Sequence, residues 1–156
     1  MKILFPLEYY YPSLIDGKGS TIYSLTKGLS KDGLEINITS SSKGIELKDL
    51  DKNNLYLKHN LNVNFIKESF ISHINLKQIK IILKNEIIHF SSFFYRLTIF
   101  YFLIGIFSNK KIVISPRGEF YPPALKRKSL IKMIYISFFK IFQNKINFHA
   151  TNEEEE

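Results

Sequence analysis

Cysteine is absent from the 156 residues of this chain. Without thiols there can be no disulfide framework, no thiolate metal site and no cysteine nucleophile, and a cytoplasmic location fits this composition. Long hydrophobic runs are also missing. The first apolar run, at residues 3–7, is too short for a secretory signal and is followed by Glu8. The apolar run at residues 99–107 falls short of the roughly 20 residues that span a bilayer, so we expect a buried helix there.

What the chain has in excess is positive charge. Its formal net charge is +8, and leaving out the four glutamates at residues 153–156 raises that charge from +8 to +12. Such an excess of positive charge implies acidic partners, which include anionic lipids, phosphorylated ligands and nucleic acid. The sequence contains no recognised nucleic-acid-binding motif, and we therefore expect no nucleic-acid partner.

The hydrophobic pattern predicts one α/β domain. Hydrophobic residues make up 45% of the chain, enough for a single compact core. Periodicity predicts strands at residues 2–6, 34–39, 87–90, 111–115 and 147–150, with weaker candidates at 55–57 and 63–66. It predicts helices from residue 20 or 21 to 30 and at residues 74–85, 95–107 and 128–143. This alternation indicates a doubly wound, mostly parallel, Rossmann-like sheet flanked by helices, covering residues 1–150.

A glycine-containing loop precedes the first predicted helix. The run Gly-Lys-Gly-Ser occupies residues 17–20. Glycines let the backbone approach a ligand, and the N-terminus of a helix offers N–H groups to a phosphate. The spacing matches neither a P-loop nor the dinucleotide-binding fingerprint. From spacing alone, a flexible turn without a ligand is the simpler interpretation.

His89 closes the predicted strand at residues 87–90 and is followed by Ser91 and Ser92. In doubly wound sheets the carboxyl ends of the strands line the ligand crevice, which makes His89 a candidate site residue. The alternative is a hydrogen-bonded core histidine, which is the commoner role of a lone histidine in an apolar strand.

The run Ser-Pro-Arg-Gly-Glu at residues 115–119 follows another predicted strand. Pro116 ends the strand and Gly118 permits a tight turn. Arg117 is a permanent cation with a planar fork of donors, suited to a phosphate or hydroxyl of a ligand. The alternative is a structural turn in which Arg117 pairs with Glu119 or Glu8.

A basic cluster lies near residues 120–132. It comprises Lys126, Arg127, Lys128 and Lys132, next to the aromatic pair Phe-Tyr at 120–121. Basic residues beside aromatic ones can hold a protein on an anionic bilayer, at roughly 1 kcal/mol per basic residue near the surface. The same pattern is also expected of a solvated helix start.

The order of these elements resembles the N-terminal domain of family 4 retaining glycosyltransferases, which have the GT-B fold. The resemblance rests on the opening strand-loop-helix unit with Gly19, the strand that contains His89, the Ser-Pro-Arg-Gly turn, and the closing run His-Ala-Thr-Asn-Glu at residues 149–153. Residues 40–85 match by pattern only. Such enzymes have two Rossmann-like domains: the N-terminal domain mainly binds the acceptor, and the C-terminal domain binds the nucleotide sugar.

The resemblance implies transfer of a hexose from a nucleotide sugar to a glycan or a lipid-linked acceptor, as in polysaccharide biosynthesis. Residues 151–156 would begin the interdomain connection, so the chain looks truncated before its donor domain, and we expect it to be inactive alone. The nucleotide sugar is a substrate, and no cofactor or metal is implied. The implied location is cytoplasmic, peripheral on the inner face of the membrane.

The resemblance also implies site roles. Gly17 and Gly19 would face the donor diphosphate, while His89, Arg117, Gly118 and Glu119 would lie on the acceptor side of the cleft. Lys126, Arg127, Lys128 and Lys132 would face a membrane. No catalytic residue is assigned. The alternative function is a non-catalytic α/β module that docks on an anionic membrane surface or on a protein partner.

Overall fold

The structure is a computed structural model that describes residues 1–13, 17–45, 60–66, 74–126 and 129–151. Its strands are β1 (Lys2–Leu7), β2 (Glu35–Ser41), β3 (Leu61–Ile66), β4 (Ile87–Phe90), β5 (Lys111–Ile114) and β6 (Ile146–Phe148). Its helices are α1 (Gly17–Lys31), α2 (Leu76–Lys84), α3 (Thr98–Phe107), α4 (Pro122–Lys126) and α5 (Ser129–Lys140), and a 3₁₀ turn covers Gln143–Lys145.

The strands form a sheet in the order β3-β2-β1-β4-β5-β6, and each neighbouring pair is parallel. From β1 the chain moves outward through β2 to β3, returns through α2 to β4, and continues in the opposite direction through β5 to β6. This is the doubly wound Rossmann-like order, and it confirms the predicted fold class. Because the strands are parallel, the loops that follow β1, β4, β5 and β6 all leave from one edge, the carboxyl edge.

Side chains of the central strands alternate between the two faces of the sheet. Leu4, Ile88 and Phe90 belong to a buried cluster shared with α2, α3 and α5. Phe5 belongs to a second cluster, on the face that α1 covers. His89 lies between Ile88 and Phe90 in the chain and therefore points to the α1 face, where its ring centroid is 4.8 Å from that of Phe5.

Several element boundaries differ from those predicted. The helix predicted to begin at residue 95 begins at Thr98, because residues 95–97 form a turn in which the N–H of Thr98 donates to the carbonyl oxygen of Tyr95. The helix predicted to extend to residue 143 ends at Lys140 and gives way to the 3₁₀ turn. Helix α4 was not predicted; its two prolines stand at its start, where proline is tolerated. The strand candidate at residues 55–57 lies outside the described residues.

Candidate functional site

A small cleft opens where the strand order reverses. The reversal falls between β1 and β4, which is where doubly wound sheets bind ligands. The cleft has a volume of about 50 Å³ and lies at the carboxyl edge. Its lining comes from the end of β1, from α1 and from the loop after β4, and includes Leu7, Glu8, Ile22, Ser91 and Tyr95.

Ser91 brings a polar group into this cleft. Only 4% of its surface is exposed, and its hydroxyl has no hydrogen-bond partner among the described residues. A buried hydroxyl without a partner costs free energy. The Ser91 hydroxyl is therefore suited to bonding a ligand or water that enters the cleft.

The first turn of α1 adjoins the same edge. The helix begins at Gly17 and contributes Ile22 to the cleft lining. The first four N–H groups of a helix have no intrahelical partner, and the helix dipole makes this end partly positive. Gly17 and Gly19 both belong to this turn, so the run predicted as a loop before the helix is helical and the prediction of a helix start at residue 20 or 21 was wrong. Their role toward a diphosphate stays a prediction, but the turn supplies the donors that such a role requires.

Three polar side chains form a hydrogen-bonded row along the carboxyl ends of β4, β5 and β6. Nε2 of His89 lies 2.8 Å from Oγ of Ser115. The same Oγ lies 3.0 Å from Nδ1 of His149. Strand register explains the row, because residues 89, 113 and 147 are paired across the three strands and side chains two residues apart share a face.

The electrostatics of this row keep His89 neutral. Burial, together with the nearby charges of Arg117 and His149, lowers the pKa of His89 from 6.5 to about 4. A neutral imidazole has one donor and one acceptor nitrogen. At pH 7 the ring can therefore orient a hydroxyl group, and it does not act as a cation.

Arg117 and Gly118 form a left-handed turn directly after β5. Their φ angles are +53° and +80°. This conformation is costly for arginine and easy for glycine, and such strained residues cluster at functional sites. A Cβ on residue 118 would also lie only 3.2 Å from the ring of Tyr121. The predicted pair thus stands at the carboxyl edge, and the charge of Arg117 acts on His89.

Glu119 connects two loops of the site. Its Oε1 accepts a hydrogen bond from the hydroxyl of Ser92, and its Oε2 accepts from the backbone N–H groups of Phe93 and Phe94. These bonds fasten the loop after β4 to the turn after β5. The observed contacts give Glu119 a supporting position behind the cleft; its predicted place on the acceptor side stays untested.

Two of the four residues in the predicted basic cluster, Lys126 and Lys132, can be placed in the structure. Lys126 is exposed at the end of α4, whereas Arg127 and Lys128 lie outside the described residues. Nζ of Lys132 donates to the carbonyl oxygen of Ala124 and lies 4.7 Å from the ring centroid of Phe94. The Lys132 side chain therefore packs along the protein and is only partly open to solvent.

Helix α5 instead presents an apolar outer face that the periodicity did not predict. We call this the α5 face; its members are 63–71% exposed and comprise Leu130, Ile131, Met133 and Ile134. The inner face contributes Tyr135, Ile136, Phe138 and Phe139 to the core. Among the described helices, none is long and apolar enough to cross a bilayer.

Sequence reasoning missed three side chains of this edge. Ser91, Ser115 and His149 were noted only as neighbours of other candidates. Ser115 and His149 are 34 residues apart, and only the pairing of β5 with β6 brings them together. Within the described ranges, the structure contains no group of three or more histidine or acidic residues that could hold a metal ion.

The fold is similar to that of a known protein, although the sequence is not. No protein-family model matches the chain, and no curated protein sequence matches it. Among solved structures the chain is similar to Anabaena HepE, in a crystal structure with UDP and glucose. The TM-score is 0.50 at 13% identity, over 74% of this chain and 29% of the HepE chain. The chain thus spans less than a third of HepE, and the likeness concerns the fold.

Proposed function

We propose that this chain is the acceptor-binding part of a nucleotide-sugar-dependent glycosyltransferase of the family 4 kind. The observation that carries the proposal is the meeting of Ser91, His89 and Arg117 with the start of α1 at the carboxyl edge. The likeness to HepE, whose crystal structure holds UDP and glucose, supports a sugar nucleotide as one ligand. The transferred group would be a hexose, and the acceptor a glycan or a lipid-linked glycan.

In this proposal the site works by positioning and electrostatics. The N–H groups of Gly17 and Gly19 stabilise negative charge on the leaving diphosphate. Neutral His89 orients a sugar hydroxyl, while Arg117 and Gly118 shape the acceptor side. Glu119 keeps the two loops of the site in register through its bonds to residues 92–94.

We further propose that sugar transfer needs a donor-binding domain in addition to residues 1–156. The limited share of HepE that the chain matches, 29%, supports this division. The purified chain should therefore show no sugar transfer from UDP-glucose or another nucleotide hexose. Turnover by the chain with no other protein present would contradict the proposal that transfer needs a donor-binding domain.

Titration of the ¹⁵N-labelled chain with UDP-glucose tests the ligand site. We expect a dissociation constant on the order of millimolar, because the chain would supply only part of the contacts. Amide shifts should concentrate at Gly17, Gly19, Ser91 and Gly118. Gly19→Ala should weaken binding, because its added methyl group would lie against the diphosphate in this proposal, whereas Gly28→Ala, in the same helix, should not. Absence of shifts at the carboxyl edge would contradict the proposal.

A specific observation also supports peripheral association with an anionic membrane. The α5 face exposes four large apolar side chains side by side. The segment that includes this face, residues 120–152, contains six lysines and arginines and no acidic residue. Apolar groups beside basic ones are the combination that inserts into the interface of an anionic bilayer. We propose that the α5 face lies in that interface, which would bring the carboxyl edge near a lipid-linked acceptor.

The absence of cysteine provides a direct test of this docking. Cysteine introduced as Ile134→Cys carries an environment-sensitive dye, and Leu76→Cys, 76% exposed on α2, is the matched control. Vesicles of phosphatidylcholine with phosphatidylglycerol should shift the emission of the dye at residue 134 alone, and salt should reverse the shift. Equal response to neutral vesicles, or self-association of the chain through α5 without lipid, would contradict the proposal.

A further inference from the structure

A second and larger hollow lies between α2 and the outer strands β2 and β3. Its volume is about 600 Å³, which is within the range of about 300–1,000 Å³ that sites for small ligands usually have. It shares no lining residue with the cleft at the carboxyl edge. We call it the asparagine groove, because its lining includes Asn37, Asn62, Asn64 and Asn85.

Strand register places three of these asparagines side by side. Asn37 of β2 is paired with Asn62 of β3. Asn64 lies two residues further along β3, so all three side chains are on the same face of the sheet. Asparagine is depleted in strands, where its short polar side chain packs poorly. Local strand preference therefore does not explain a sheet face built from three amides.

These amides have polar groups to spare. Nδ2 of Asn64 is buried and has no partner among the described residues, while its Oδ1 accepts from Nζ of Lys77 at 3.4 Å. Nδ2 of Asn37 donates to Oδ1 of Asn85 at 2.8 Å, which leaves Oδ1 of Asn37 as an acceptor. The exposed amide of Asn62 makes no bond within the described ranges. The groove thus offers both donors and acceptors, as sugar hydroxyls require.

The charge of the groove is positive. Its lining contains three lysines and one glutamate, a net charge of +2. Lys2 pairs with Glu35 at 2.8 Å, so the excess comes from α2. Lys77, Ile81 and Lys84 follow at helical spacing and line the groove together. Both of these α2 lysines are exposed, and they favour a ligand that carries negative charge.

The groove continues past the amino ends of β2 and β3. A second hollow of about 390 Å³ adjoins it there and shares Glu35, Leu61 and Asn62 with its lining. This extension adds Gly33 and Asn60. An elongated groove suits a chain of several units better than a compact ligand.

We propose that the asparagine groove binds an acidic oligosaccharide, a chain of sugars that carries carboxylates. The amides of Asn37, Asn62 and Asn64 bond its hydroxyl groups, and Lys77 and Lys84 pair with its carboxylates. The inference rests on the lining of the groove and is independent of the sugar transfer proposed for the carboxyl edge.

Titration of the ¹⁵N-labelled 156-residue chain with trigalacturonate, which has a carboxylate on every sugar, tests this site. Amide shifts should concentrate at Asn62, Asn64 and Asn85, and added salt should weaken binding. Maltotriose, a neutral oligosaccharide, should bind at least about tenfold more weakly, because it lacks the charges that the lysines meet. Citrate, an anion without sugar units, should not shift these amides at the same ionic strength.

Two exposed side chains of the groove can be changed without disturbing the core. Asn62→Ala and Lys84→Gln should each weaken trigalacturonate binding about fivefold. The matched controls are Asn144→Ala, exposed in the 3₁₀ turn before β6, and Lys140→Gln, in the last turn of α5 as Lys84 is in that of α2; neither should change the affinity.

Three results would overturn the proposal: no shifts in the groove with trigalacturonate, equal binding of maltotriose or citrate, or unchanged affinity in both Asn62→Ala and Lys84→Gln. UDP-glucose is expected to shift amides at the carboxyl edge and trigalacturonate those of residues 62, 64 and 85. The two titrations are therefore read at different residues, so failure of one refutes only the proposal for its own site.

Discussion

Acidification should destabilise this protein through His89, and the pKa of that residue sets the magnitude. Burial, Arg117 and His149 lower the pKa from 6.5 to about 4. Above pH 6.5 the ring is mostly neutral in the folded and unfolded states alike. As pH falls from 6.5 to 4, the unfolded chain binds a proton that the folded protein does not, so the free energy of unfolding decreases. At about 1.4 kcal/mol per pKa unit, the loss reaches about 3 kcal/mol by pH 4.

Comparison with His89→Gln isolates this contribution from the carboxylates that titrate in the same range. Urea unfolding followed by far-UV circular dichroism gives the free energy of unfolding at each pH. Between pH 7 and pH 4 the wild-type chain should lose about 3 kcal/mol more than His89→Gln. His149→Gln changes an exposed histidine and should keep most of the wild-type loss. Parallel stability curves for wild type and His89→Gln would refute the reasoning.

Two further predictions concern packing and the loops of the site. Gly105→Ala in α3 should destabilise the fold by about 1–3 kcal/mol, because its Cβ would lie 2.6 Å from Cδ1 of Ile88. Gly28→Ala in α1 should stabilise the fold by about 0.5–1 kcal/mol, because its Cβ would have no atom within 4 Å. Opposite shifts in urea midpoint check this pair, and equal signs would contradict it. Glu119→Ala should lower the free energy of unfolding by about 2–4 kcal/mol, and Glu119→Gln should lower it less. In both variants, hydrogen exchange of the backbone amides should become fastest at Phe93. Unchanged protection of the Phe93 amide in both variants would argue against the loop contact.

The fold class was accessible from the sequence because strand and helix periodicities alternate clearly. Short apolar runs at residues 87–90 and 111–115 read as buried strands, and both are strands in the structure. Periodicity alone does not determine the order of strands in the sheet. The position of the crevice between β1 and β4 therefore had to come from the structure.

The side-chain network of the site was only partly accessible. His89 and Arg117 could be singled out because each follows or ends a predicted strand. The bond from Ser115 to His149 depends on the register of β5 and β6, and the bonds from Glu119 to residues 92–94 depend on how two loops meet. Local patterns contain no information about such contacts between distant residues.

The buried face of helix α5 could not be predicted from the sequence, for a different reason. Apolar residues occur on every side of this segment, so its periodicity could not determine which face is inside. Phe139 is buried and Ile134 is 65% exposed, although both are large and apolar. The face with Phe139 is buried because the aromatic side chains of Phe93 and Phe102 pack against Phe139.

The most direct measurement is a crystal structure of the chain soaked with UDP-glucose. We expect ligand density at the reversal between β1 and β4, with phosphate oxygens against the N–H groups at the start of α1. Density confined to the groove beside Asn62 and Asn85, at the other end of the sheet, would contradict the proposed site.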